Sequence, residues 1–166
     1  MNAAPVVIGF DGSPAAERAI RESARLLTAH SALVVTVWEA GRSFEAVTMP
    51  ISTLQTPPVV LDIRGALEAE AREQEFMQRT AQRGAAIARE SGYAEASGLA
   101  VAEDATVAAT LIRVARERHS PGIVVGIHGH SRVAELLLGS TARTLVARAP
   151  CPVVMTGRRS GGPDPE

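Results

Sequence analysis

Short unbroken runs of Val, Ile and Leu alternate along this chain with longer stretches in which apolar residues return at helical spacing. Val6 to Phe10 is such a run, apolar throughout, as expected of a strand covered on both faces of a parallel sheet. Ser13-Pro14 then marks a helix start: Ser13 can cap, and Pro14 is already shaped for the first helical position. Glu17 falls in the first turn, where the helix dipole favours negative charge. Ala16, Ile20, Ala24 and Leu27 follow on one face. Leu33 to Trp38 reads as a second strand, rich in β-branched residues.

From Gly41 to Gly65 the pattern loses its period and takes in Pro50, Pro57 and Pro58, so a long connection is expected. A charged helix is predicted over Ala66 to Ser91, with Met77, Ala81 and Ala88 on one stripe. Ala94 to Ala102 is the expected third strand. Asp104 is a candidate cap for the next helix, whose buried face would be Val107, Leu111 and Ala115. Ile123 to Ile127 reads as the fourth strand, Ser140 to Ala149 as a helix and Pro152 to Thr156 as the last strand. Residues 1–157 are expected to form one domain, and the polar Gly- and Pro-rich segment 158–166 a disordered tail. Strands alternating with helices predict an α/β fold, a doubly wound parallel sheet with helices on both faces.

Composition narrows the chemistry. The chain has 166 residues, 46% of them hydrophobic but only 3% aromatic, so Val, Ile, Leu and Ala must build the core. At this length a single core needs no metal or disulfide staple. A net charge of −1 gives no field that favours nucleic acid or an anionic membrane. Cys151 is the single cysteine, which excludes an internal disulfide and points to a reducing compartment. The first residues lack a basic region followed by an apolar run, and no stretch approaches the roughly 20 apolar residues of a membrane span. A cytoplasmic setting is expected.

The candidate chemistry lies after the fourth strand, in Gly126-Ile-His-Gly129, nine further residues, and Gly139-Ser140. Strand, glycine-punctuated loop and helix N-terminus is an arrangement in which backbone N–H groups can approach an anion. These residues, together with Val6 to Ser13 and Ala149-Pro-Cys-Pro-Val-Val-Met155, resemble the ATP-binding branch of the universal stress protein family. The resemblance runs from about Val6 to Met155. It implies a five-stranded sheet of order 3-2-1-4-5, ATP as ligand, and a homodimer through the last strand. In that order the first and fourth strands are neighbours where the chain reverses direction, the place where open α/β sheets bind ligands.

The resemblance also distributes roles. Gly126 and Gly129 would pass beneath a phosphate or ribose, while Gly139, Ser140 and Thr141 would meet the phosphates. Val37 and Val125 would lie near adenine, with Gly9 beside the nucleotide. Asp11, at the end of the first strand, would hold Mg²⁺ against the triphosphate; the alternative is a carboxylate that only bonds its own turn. Where relatives often have further glycines, this chain has Ser131 and Arg132. Arg132 could pair with phosphate or could narrow the loop. Ala142 stands where nucleotide binders often carry a hydroxyl.

The loop is neither a Walker loop nor a Gly-x-Gly-x-x-Gly dinucleotide loop. His128 and His130 would share a side of an extended segment, but two histidines without a Cys or clustered carboxylates make a poor zinc site. No nucleophile elbow or evident water-orienting residue supports catalysis. The expectation is therefore a nucleotide-dependent sensor or regulator of stress response. Two alternatives stand beside it: a dimeric interaction protein of this fold that binds no nucleotide, and a slow ATPase or transferase.

Overall fold

The structure, a computed structural model, describes residues 4–28, 31–41, 63–127 and 139–157. Its elements are β1 (Val6–Gly9), α1 (Pro14–Leu26), β2 (Ser31–Trp38), α2 (Ile63–Ser91), β3 (Glu95–Ala102), α3 (Val107–Glu117), β4 (Ile123–Gly126), α4 (Ser140–Arg148) and β5 (Val153–Thr156). The strands form one five-stranded parallel sheet of order β3-β2-β1-β4-β5. This is the α/β architecture that the alternating pattern predicts and the strand order that the resemblance implies.

The apolar runs of β1 and β4 exist because both faces of these strands are covered. Val6 and Ile8 point into one core with Ala16, Ile20, Val34 and Ala88, beneath α1 and α2. Val7 points the other way, into a core with Leu33, Leu111, Val125 and Leu145, beneath α3 and α4. Tyr93 closes the first core from one end; its hydroxyl donates to Ser23 Oγ at 3.0 Å. Burial holds that phenol above its ordinary pKa, partly offset by the Ser23 bond.

Helix α1 begins as its residues dictate. Ser13 Oγ accepts the Ala16 N–H at 3.2 Å and Pro14 occupies the first turn. The start of α3 differs from expectation. Its N-cap is Thr106, whose hydroxyl accepts the Ala109 N–H at 3.1 Å. Asp104 lies too far upstream to reach the first-turn amides; its carboxylate instead takes the Arg113 Nε at 2.8 Å. The buried face of α3 also shifts. Leu111 and Ala115 are buried, but Val107 is 36% exposed, at the rim of a cavity.

The two edges of the sheet differ in chemistry. Ala96, Gly98 and Ala100 of β3 point their backbone groups away from β2. Side chains of α2 meet them there: Gln78 donates to the Gly98 carbonyl and accepts from the Ala100 N–H, both at 2.9 Å. Arg89 donates to the Ala96 carbonyl at 2.6 Å. On β5, the carbonyls of Pro152 and Thr156 bond to the N–H groups of Ile123 and Ile127, on the β4 side. Alternation then turns the backbone groups of Val153 and Met155 toward the open edge. Helix α2 starts at Ile63, so Ile63 to Gly65 join it rather than the connection expected there. Residues 42–62 and the expected tail, 158–166, lie outside the described residues.

Candidate functional site

The carboxyl ends of β1 and β4 are adjacent, and the chain leaves them in opposite directions. A cavity of about 610 Å³ opens there. That volume lies within the range of small-molecule sites, roughly 300–1,000 Å³. Much of its lining is apolar: Val35 and Val37 from β2, Val107 and Leu111 from α3, Val125 from β4 and Ile127 just beyond it. Its polar lining is Asp11, Ser13, Ser140 and Thr141, from the β1 turn and the start of α4.

The β1 side of the site is a tight turn. The Phe10 N–H donates to the Val35 carbonyl at 2.9 Å, and the Thr36 hydroxyl donates to the Phe10 carbonyl at 2.8 Å. Asp11 Oδ1 accepts the Ser13 N–H at 2.9 Å, and Gly12 between them has φ +81°. That φ lies in the left-handed region, where a side chain is strained. The turn reading of Asp11 is thus present in the structure. Mg²⁺ usually binds one or two carboxylates and completes its shell with phosphate oxygens and water. One carboxylate in the cavity lining fits such a shared cation. Among the described residues no cluster of three or more metal-ligating side chains forms.

The opposite side is the start of α4. Gly139 is its N-cap and has no side chain with which to cap. The first intrahelical bond runs from the Arg143 N–H to the Gly139 carbonyl at 3.0 Å. The N–H groups of Ser140, Thr141 and Ala142 are therefore the ones the helix cannot satisfy itself. They sit at the positive end of the helix dipole, on residues that line the cavity. Apolar side chains and helix amides in one cavity suit a ligand with a flat apolar part and an anionic part. Among the described residues of the wall, Asp11 is the one ionisable side chain.

Of the ten residues singled out in the sequence, Gly9, Asp11, Val37, Val125, Gly126, Gly139, Ser140 and Thr141 line this cavity together. Gly129 and Arg132 lie outside the described residues, as do His128, His130 and Ser131. Gly126 also has a second use. A Cβ there would stand 2.7 Å from the Ala15 carbonyl oxygen, so α1 packs its backbone against this glycine. Residues not singled out complete the wall: Phe10, Ser13, Ala16, Val35, Val107, Leu111, Ile127 and Ala142. Strand alternation could have found Val35, which shares a face with Val37.

Other candidates fall away from the cavity. Trp38 is buried at the end of β2 and is not part of the wall. Cys151 is half-buried, and that burial pushes its thiol above the ordinary range, away from a reactive thiolate. His119 follows α3 with φ 50°, in the left-handed position that ends the helix. Among the described residues no helix is long and apolar enough to cross a membrane.

Comparison with known proteins agrees with this architecture. Residues 3–157 match the model of the universal stress protein family. No curated protein matches the chain. A universal stress protein from Archaeoglobus fulgidus is 25% identical, with a TM-score of 0.61 over 92% of this chain and 98% of its own. The universal stress protein from Archaeoglobus fulgidus in complex with dAMP is also 25% identical, with a TM-score of 0.54 over 93% of this chain and 98% of its own. A universal stress protein in complex with cAMP is 20% identical and shares the fold, with a TM-score of 0.60 over 94% of this chain and 98% of its own. With the strand order observed and the family matched along nearly its whole length, the chain belongs to the universal stress protein family.

Proposed function

We propose that this protein binds an adenine nucleotide, ATP with Mg²⁺, in the cavity between β1 and β4, and acts as a sensor or regulator rather than a metabolic enzyme. One observation carries the reading. Helix amides without intrahelical partners and an apolar wall meet in a single cavity at the reversal of the sheet. Adenine would lie against Val37 and Val125, and the phosphates against Gly139, Ser140 and Thr141. Asp11 would hold Mg²⁺, which offsets the repulsion between its carboxylate and the phosphates. The complex of the Archaeoglobus fulgidus protein with dAMP supports an adenine nucleotide as the ligand class.

The test is a calorimetric titration with ATP, with and without Mg²⁺, on wild type and Gly139→Val. Among the described residues a Cβ at Gly139 meets nothing within 4 Å, and its φ of −55° is open to any residue. The variant should therefore fold normally while its side chain shields the α4 amides. Wild type should bind at micromolar concentration and the variant should not. Equal affinity in a folded Gly139→Val protein would remove the α4 amides from the site. No wild-type binding at millimolar ATP would favour the dimeric interaction protein. A specific observation favours that second reading: the close approach of α1 accounts for Gly126 without any ligand.

The reading includes a homodimer. The open edge of β5 presents Val153 and Met155 backbone groups to a partner, and a second copy of the same strand can pair with them. Slow hydrolysis or phosphoryl transfer would use the same cavity. No described residue of its wall is an evident candidate to orient an attacking water.

A further inference from the structure

Beside the Thr36 hydroxyl, which bonds the Phe10 carbonyl, a second side chain holds the turn that carries Asp11 from outside the cavity. Arg83 projects from α2, 71 residues further along the chain. Its Nη2 donates to the Gly12 carbonyl at 2.9 Å, and its Nη1 lies 3.2 Å from Glu17 Oε1 in the first turn of α1. The guanidinium carbon lies 5.5 Å from the centre of the Phe10 ring, within cation–π range. Three parts of the turn thus converge on one planar group: the ring before Asp11, the carbonyl after it, and the helix that follows.

Stability gives little reason for this arrangement. The Arg83–Glu17 pair is 53% and 24% exposed, and pairs so open to water contribute little. Position is what the contacts determine. Gly12 is in the left-handed region, a conformation open to a glycine among many others. Fixing its carbonyl selects that conformation, and with it the place of the Asp11 carboxylate and the Ser13 N–H it accepts. A lysine could keep the charge but not the two-pronged geometry.

We propose that Arg83 is a positioning residue for the cavity's ligand: it does not line the cavity but sets the Phe10–Ser13 turn in the form that receives the ligand. The proposal rests on the nucleotide-binding reading above. It makes α2, a helix with no residue in the cavity wall, part of the binding apparatus.

The experiment measures ATP and AMP affinity, each with Mg²⁺, for wild type, Arg83→Gln and Arg83→Lys. Amide hydrogen exchange at Gly12 and Ser13 is followed in the unliganded proteins, with chemical denaturation as the check on the fold. Arg83→Gln should weaken binding about tenfold, the scale of one charge-assisted hydrogen bond. It should speed exchange at the turn and leave global stability nearly unchanged. Arg83→Lys should fall between the two, and its affinity decides the matter if Arg83→Gln does not fold. Wild-type affinity in both variants would overturn the proposal while leaving the site intact. Weaker binding with unchanged exchange at the turn would overturn it too, because Arg83 would then act by another route. Failure of wild type to bind either nucleotide would overturn both the site and its positioning residue.

Discussion

Gly126 and Gly139 belong to one loop signature, yet an added methyl group would meet different surroundings at each. At Gly126 it would press on the Ala15 backbone, with the carbonyl oxygen 2.7 Å away. At Gly139 it would meet no atom of the described residues within 4 Å. The two glycines therefore separate packing from binding. Gly126→Ala must push α1 off the sheet, because the crowding atoms are backbone and cannot rotate away. It should cost about 2–3 kcal/mol, the scale of overpacking a well-filled core. The loss should appear in chemical denaturation of the nucleotide-free protein. A stability loss below the error of that measurement would mean that α1 relaxes freely and that Gly126 serves the ligand instead. The sequence could not distinguish the two uses, since a glycine in a string carries no sign of which backbone lies over it.

Each edge of the sheet poses the same problem, exposed backbone groups that invite pairing with another chain, and α2 answers it on one side only. The Gln78 amide bonds to β3 as another strand would, donating to Gly98 and accepting from Ala100. Gln78→Leu keeps the bulk and removes the amide. It should lower stability by about 1 kcal/mol. It should also promote concentration-dependent association beyond the wild-type state, read by sedimentation. A variant that sediments as wild type would show that the bulk of α2 protects this edge without the amide. Elements such as α1 and β1 were legible in the sequence because local signals set them: Ser13-Pro14 for the cap, an apolar run for the central strand. The cap of α3 is ambiguous in the sequence because Asp104 and Thr106 are both good caps. Only the position of Val107 as the first helical residue decides for Thr106. Eight of ten site candidates share one cavity because the signature residues lie at strand ends and a helix start, which the topology brings together. Arg83 and Gln78 left no local trace. Both stand on a charged helix face, and what they touch depends on which strand lies beneath.

At the scale of the whole molecule, the asymmetry of the edges bears on assembly. With β3 closed by Gln78 and Arg89, the backbone left open among the described residues lies on β5, at Val153 and Met155. The cavity lies next to that side of the sheet, because β4, which carries Val125 and Gly126 into its wall, pairs directly with β5. A homodimer through β5 would thus place two nucleotide sites about one axis, each one strand away from the interface. Met155→Pro tests this arrangement with little harm to the protomer. Residue 155 points its N–H away from β4, so proline removes a group offered to the partner and none used within the sheet. Edge positions of this kind tolerate proline. Sedimentation should show a dimer for wild type and a monomer for Met155→Pro, with denaturation of the monomer showing a folded protein. A Met155→Pro protein that remains dimeric would move the interface away from the β5 edge. If nucleotide affinity falls along with the dimer, β4 is the element through which site and interface communicate. Unchanged affinity in the monomer would make each site self-sufficient, and assembly a separate property of the open edge.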